Sequence, residues 1–381
     1  MFKDHNLKIM KYKIKGFLLS LFLLSPIIVG CSSNKKFNLI ISELNIGSVV
    51  TNRAIEISNI GNEEIILNGY AINIYRTFTN TFSERIELEG TLGINESYVI
   101  VYSGSDEEWQ AKADLVTDLM TCEGSYPAAL VYKNKIVDSI GNIGLIYNYA
   151  RKAHLVRKKE YAKPSSEYVP YQWVRYITDE LDTLGNTDCI SEETLLNGPK
   201  LQQSDFDKPF CKDSSTGGGG LIHSSLNYGI DGDTSNFNYG NSLSEYDISG
   251  GLNTRYYGIN TPEIAHYGSD ADPYGDEARD YTNKMLYSST NILIQSIEGY
   301  SLHETYGRML CYIWISLVDN PKIEDYVLLN YLIVKEGFSN TAFIDRDADY
   351  INLMKYQNIT FVEYLYDAEN YATMLKLNIH S

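Results

Sequence analysis

The sequence predicts two successive domains, an all-β sandwich and then a mixed α/β domain, behind a short leader. Three observations lead there. An apolar run near the N-terminus ends in a cysteine, period-two strands recur up to about Cys189, and after Leu221 helical patterns interleave with long apolar strands.

The leader comprises residues 1–31. Lys8, Lys11, Lys13 and Lys15 form a basic region ahead of an apolar run from Gly16 to Gly30, which has the length of a signal-peptide core rather than a comfortable membrane span. Ile28-Val29-Gly30-Cys31 followed by Ser32-Ser33-Asn34-Lys35-Lys36 resembles the bacterial lipoprotein signal. That resemblance implies cleavage before Cys31, lipid on its thiol, and a chain held on the extracellular face of the cell membrane, since several acyl chains make attachment stable. The other reading is an uncleaved N-terminal anchor with a chance cysteine.

Residues 37–195 read as the sandwich. Leu39 to Leu44 is a first strand, and Ala54-Ile55-Glu56-Ile57-Ser58-Asn59 alternates apolar and polar. Asn59-Ile60-Gly61-Asn62 and Asn68-Gly69 supply turns, and Tyr70 to Tyr75, Ser97 to Tyr102 and Ala128 to Tyr132 continue the series. The Ile-Ser-Glu strand, the segment Ala54 to Asn62, Leu67-Asn68-Gly69-Tyr70 and Val131 to Asp138 together resemble the lamin-tail domain. This implies an immunoglobulin-like sandwich and no catalytic constellation.

Residues 196–221 are polar and end in Gly217 to Gly220, which predicts a flexible hinge. Residues 222–381 follow. Pro273 to Ser288, Asp325 to Glu336 (ended by Gly337) and Phe361 to Leu377 have helical spacing, while Ile292 to Ile294 and Met309 to Ile315 read as strands.

Composition limits what this chain can do. With 44% hydrophobic and 21% charged residues it is an ordinary globular sequence, but its net charge of −17 sits badly with holding a polyanion. From Leu221 to Ser381 there are 9 Lys and Arg against 22 Asp and Glu, a balance of −13. The positive cluster Arg151, Lys152, Arg157, Lys158, Lys159 and Lys163 lies in the first domain. It reads as a nucleic-acid contact, as a solvated face or as one resting on anionic lipid. Cys122, Cys189, Cys211 and Cys311 lack zinc-ligand spacing; they read either as a Cys189–Cys211 disulfide or as four thiols.

The chemistry is concentrated in three segments: Asp231-Gly232-Asp233-Thr234, Arg255-Tyr256-Tyr257-Gly258-Ile259-Asn260-Thr261-Pro262-Glu263, and Tyr306-Gly307-Arg308. Hydrolysing a phosphodiester needs a hard cation, an oriented water and positive charge on the phosphate oxygens, and these segments offer carboxylates, amide oxygens and arginines. In this order, with Pro273-Tyr274-Gly275 before a helix and Leu329 to Gly337 within another, they resemble the thermonuclease family. The resemblance implies an OB-fold barrel with three helices that cuts DNA and RNA using Ca2+ and leaves 3′-phosphate ends.

It also implies roles for individual residues. Asp233 and the Thr261 carbonyl would ligate the cation with Asp231 in support, Glu263 would orient or deprotonate the attacking water, and Arg255 and Arg308 would grip the phosphate. Asn260 stands where the family has an aspartate ligand, so its amide oxygen coordinates with one negative charge fewer. Phe343 and Asp345 stand where prominent members have tyrosines near the nucleotide. The competing reading is a binding module, a barrel of this type that has lost activity and serves as a surface adhesin; Asn260 and the acidic balance favour it.

Overall fold

A computed structural model describes residues 37–187, 189–240, 243–244 and 250–381. The leader and Cys31 lie outside the described residues. Among the described residues, no helix is long and apolar enough to cross a membrane.

The first half builds two facing sheets. One runs through β1 (Leu39–Ile46), β2 (Arg53–Asn59), β3 (Ser97–Tyr102), β4 (His154–Arg157) and β5 (Trp173–Tyr176), in the order β5-β4-β1-β2-β3. The other contains Tyr70–Ile74, Glu84–Glu87, Ala128–Tyr132 and Lys135–Ile140. Both sheets contribute to one apolar cluster that includes Ile57, Ile72, Ile100 and Leu130. A bulge between Ile41 and Glu43 shifts the phase of β1, so that Leu39, Ile41, Leu44 and Ile46 all reach this core. Glu43 and Asn45 therefore face the opposite side, where residues 179–185 cover them: Asn45 donates to the Glu180 carbonyl and Thr183 to the Glu43 carboxylate.

The second half is a closed barrel of β6 (Leu221–Gly229), β7 (Thr234–Asn238), β8 (Gly251–Tyr256), β9 (Asn291–Ser296) and β10 (Met309–Ser316). Neighbours run β8-β7-β6-β9-β10, and a parallel pairing of β8 with β10 closes the ring. Three helices pack on it: α1 (Gly275–Ser288), α2 (Leu329–Lys335) and α3 (Phe361–Leu375). The first starts two residues after Pro273 because Tyr274 is left-handed. The second starts later than its spacing suggests because Val327–Leu328 pairs with β10 as a short strand. Thr360 caps the third by accepting from the Glu363 amide.

The expected hinge is a packed segment. Gly217 to Gly220 are buried and bonded into the barrel: the Gly218 amide donates to Phe210 and the Gly217 amide to Tyr300. A Cβ at Gly217, Gly218 or Gly220 would lie 2.4, 2.2 or 2.1 Å from a backbone carbonyl oxygen. The glycines serve close backbone approach, not freedom.

Both halves belong to one contact unit, Phe37–Ser381. A hairpin of the second half, Lys355–Tyr356 with Ile359–Thr360, extends the larger sheet through the bridge between Tyr176 and Ile359.

Candidate active site

Barrel register assembles the three motif segments. Thr234 pairs with Arg255 across β7 and β8, and Arg255 with Leu310 across β8 and β10. The turn holding Asp231 and Asp233, the Arg255 side chain and the start of β10 after Arg308 therefore share one end of the barrel. A cavity of about 450 Å³ opens there, lined by Asp231, Asp233, Arg255, Asn260, Glu263 and Arg308. Thr261 lines an adjoining cavity that shares Asn260 and Glu263.

The acidic turn is braced from beneath. The Thr282 hydroxyl of α1 donates to the Gly232 carbonyl at 2.7 Å, and a Cβ on Gly232 would meet the Thr261 side chain at 2.7 Å. The Asp231 carboxylate accepts from the Asp233 amide at 3.0 Å. One oxygen of Asp233 accepts from the Thr261 amide at 2.7 Å and its hydroxyl at 3.1 Å, while the other meets Arg255 and Thr234. Burial raises the Asp231 carboxyl above its ordinary range, against the opposing pull of Arg255.

Arg255 is largely buried and its pKa is pushed down to about 10 by that burial, which leaves it a cation at neutral pH. Besides Asp233, its guanidinium donates to the Asn260 side-chain oxygen at 2.7 Å and the Ile259 carbonyl at 3.0 Å. Arg308 is more open. It donates to Glu304 at 3.1 Å and to the Thr234 hydroxyl at 3.4 Å. Burial opposes ionisation of Glu304, but hydrogen bonds from Arg308 and from the Tyr306 and Arg308 amides outweigh it and hold the carboxyl below its ordinary value. Glu263 is exposed over 60% of its side chain, at the rim shared by the two cavities, with His266 Nε2 at 3.4 Å.

The donor set suits a hard cation: two carboxylates that burial deprives of water, and the Asn260 amide oxygen, all lining one cavity. Among the described residues no group of three or more His, Cys, Asp or Glu converges, so neutral oxygens would have to complete such a shell.

Three supporting residues escaped the sequence reading. Glu304 orients Arg308 from four residues away, a spacing that could have suggested it. Asp272 holds the Glu263 backbone from nine residues away, and Thr282 holds the acidic turn from 50 residues away; neither spacing has a helical or strand period.

The positive cluster of the first domain needs correction. Arg157 and Lys158 are each only 1% exposed, the former paired with Asp138 and the latter with Asp367. They are internal ion pairs and are not available to phosphate. Arg151 and Lys159 are exposed, and Lys152 lies 3.6 Å from Asp349. Of the cysteines read as a possible pair, Cys211 is buried in the barrel core cluster with Cys311, and Cys189 is half-buried.

Comparison with known proteins agrees with this geometry. Residues 253–360 match the family described as staphylococcal nuclease homologue. The endonuclease YncB of Bacillus subtilis (strain 168) is 26% identical over 158 residues, covering 42% of this chain and 64% of the relative. The SPbeta prophage-derived endonuclease YokF of the same organism is 28% identical over 136 residues, covering 35% of this chain and 40% of the relative. The thermonuclease of Staphylococcus hyicus is 30% identical over 129 residues, covering 34% of this chain and 63% of the relative. The chain thus spans less than two thirds of each of these relatives. The match holds Arg255, Asn260, Thr261, Glu263 and Arg308, and residues 253–360 carry a domain of the staphylococcal nuclease type.

Proposed function

We propose that the chain is a Ca2+-dependent phosphodiesterase that hydrolyses DNA and RNA with little sequence preference. It would be held on the outer face of the cell membrane by lipid on Cys31 and would degrade external nucleic acid for its nucleotides. The observation that carries the catalytic reading is the gathering of two buried carboxylates, two arginines and Glu263 around one cavity.

Asp231, Asp233, Asn260 and the Thr261 carbonyl would hold the cation, which when bound supplies charge to the phosphate and acidity to a water. Arg308 lies at the cavity with part of its guanidinium open, so it can take a phosphate oxygen while Glu304 keeps its orientation. Arg255 contributes a second fork, exchanging its bonds to Asn260 and Ile259 for bonds to the phosphate. Glu263, exposed at the rim, takes the proton of the attacking water.

A second reading, a binding protein with a weakened site, is favoured by the uncharged Asn260 beside Asp233 and by the −13 balance after Leu221. Incubation with plasmid and with RNA, with Ca2+ or with EDTA, separates the two. EDTA-sensitive cleavage is expected; retained binding without cleavage at any Ca2+ concentration would establish the second reading.

A further inference from the structure

We infer that the β-sandwich is a positioning element for the nuclease site, acting through Asp347 and the loop that runs from Phe343 to Leu353. The inference rests on the nuclease reading and adds to it a specific job for the first half of the chain.

The loop is tied both to the sandwich and to the barrel. On the sandwich side, Asn148 donates to the Asp347 carboxylate at 2.9 Å and Arg175 to its other oxygen at 3.2 Å. The same Arg175 amino group donates to the Lys152 carbonyl at 2.8 Å, so its guanidinium is fixed by backbone as well as by charge. Asn352 reaches Thr178 at 3.5 Å, and beyond the loop the Ile177 amide donates to the Asn358 carbonyl at 2.8 Å. On the barrel side, Tyr350 stacks on Tyr300 with centroids 4.5 Å apart and rings 28° from parallel, and its hydroxyl meets that of Tyr257 at 2.9 Å.

Tyr257, Tyr300 and Phe343 line the cavity that holds Arg255 and Arg308. Phe343 adopts a left-handed φ of 57°, and its ring lies 5.9 Å from the Arg255 guanidinium. A non-glycine residue keeps that conformation only where its surroundings fix it. Tyr350 follows Asp347 by three positions, so the sandwich contacts and the cavity wall belong to one short stretch of chain. Releasing Asp347 frees Tyr350 to leave Tyr300, and the aromatic wall loses its support. The contacts concern the wall that receives the substrate rather than the groups that do chemistry, so the effect falls on binding.

The test uses the full soluble chain with Arg175→Ala, Asp347→Ala and the milder Asn148→Ala. For a short single-stranded oligonucleotide, KM is expected to rise on the order of fivefold in the first two and less in the third, with kcat within about twofold. Hydrogen exchange across residues 343–354 should accelerate in step. The swapped pair Arg175→Asp with Asp347→Arg restores the charge pair without the Lys152 and Asn148 bonds and should recover part of the lost KM, which a general loss of folding would not allow. Unchanged KM and unchanged exchange in Arg175→Ala overturns the inference, as does a loss confined to kcat. Should the wild-type chain cut nothing, the nuclease reading fails by itself. Exchange and oligonucleotide affinity then decide the clamp: weaker affinity with faster exchange supports it, and no change in either overturns it.

Discussion

Asp272 bonds to both backbone groups of Glu263. The Asp272 carboxylate accepts from the Glu263 amide at 3.1 Å, and the Glu263 carbonyl accepts from the Asp272 amide at 2.9 Å. Gly275 closes the arrangement, since a Cβ there would sit 2.2 Å from the Glu263 carbonyl oxygen. As the proposed general base, Glu263 gains its precision from its backbone, since its exposed side chain has little packing to fix it. Asp272→Ala should lower kcat on the order of tenfold with little change in KM, and Asp272→Asn, whose amide oxygen still accepts, should recover most of it. Steady-state kinetics of the two variants checks the ordering.

Local patterns exposed much of this arrangement and hid its supports. Alternation located strands such as Arg53–Asn59, and the run Arg255 to Glu263 pointed to the site because it concentrates a cation, oxygen donors and a carboxylate in nine residues. Burial of Arg157 and Lys158 was invisible because their partners Asp138 and Asp367 are 19 and 209 residues away. The hinge expectation failed for a related reason. Four glycines read equally as freedom or as close approach, and only the neighbours Pro209, Ile297 and Glu298 decide between them. The packing of the two halves combines a hairpin bridge, ion pairs, single hydrogen bonds and the burial of Val174 in the barrel cluster, none with a periodic signature.

Glu263→Ala and Arg308→Ala should each lower kcat by about a hundredfold to a thousandfold. Their melting temperatures should stay near wild type, because Glu263 is exposed and, among the described residues, the Arg308 guanidinium hydrogen-bonds only to Glu304 and the Thr234 hydroxyl. Glu304→Gln should fall between wild type and Arg308→Ala, since it loosens the guanidinium without removing it. Single-turnover hydrolysis alongside thermal unfolding separates lost chemistry from lost folding.

Asn260→Asp should tighten Ca2+ binding on the order of threefold to tenfold, because a charged oxygen replaces an amide oxygen beside Asp233. The new carboxylate also faces Arg255, which already donates to this position at 2.7 Å. Part of the gain therefore goes to a stronger internal pair, and the improvement stays below that of an unopposed carboxylate. Calorimetric Ca2+ titration of both proteins measures it, and an unchanged midpoint would remove Asn260 from the cation shell.

The sandwich carries a pH dependence of its own, set by Glu56. Its carboxyl is fully buried between β1 and β3, beside Glu43, and burial followed by the Glu43 charge raises its pKa from 4.5 to about 8. Glu43 is itself paired with buried His154 at 2.9 Å, and Ser42 and the Gly185 amide donate to Glu56. The folded state keeps a proton on Glu56 that the unfolded chain gives up near 4.5. The resulting stability is complete below that pH and declines as pH rises towards 8. The limiting slope for one such group is about 1.4 kcal/mol per pH unit. Glu56→Gln cannot ionise, so it should lose this decline: its melting temperature should fall less steeply than that of wild type as pH rises from about 5 to about 8. Thermal unfolding of both proteins across that range is the measurement. Parallel curves would mean that Glu56 ionises at the same pH in the folded and unfolded chains, against the burial that surrounds it.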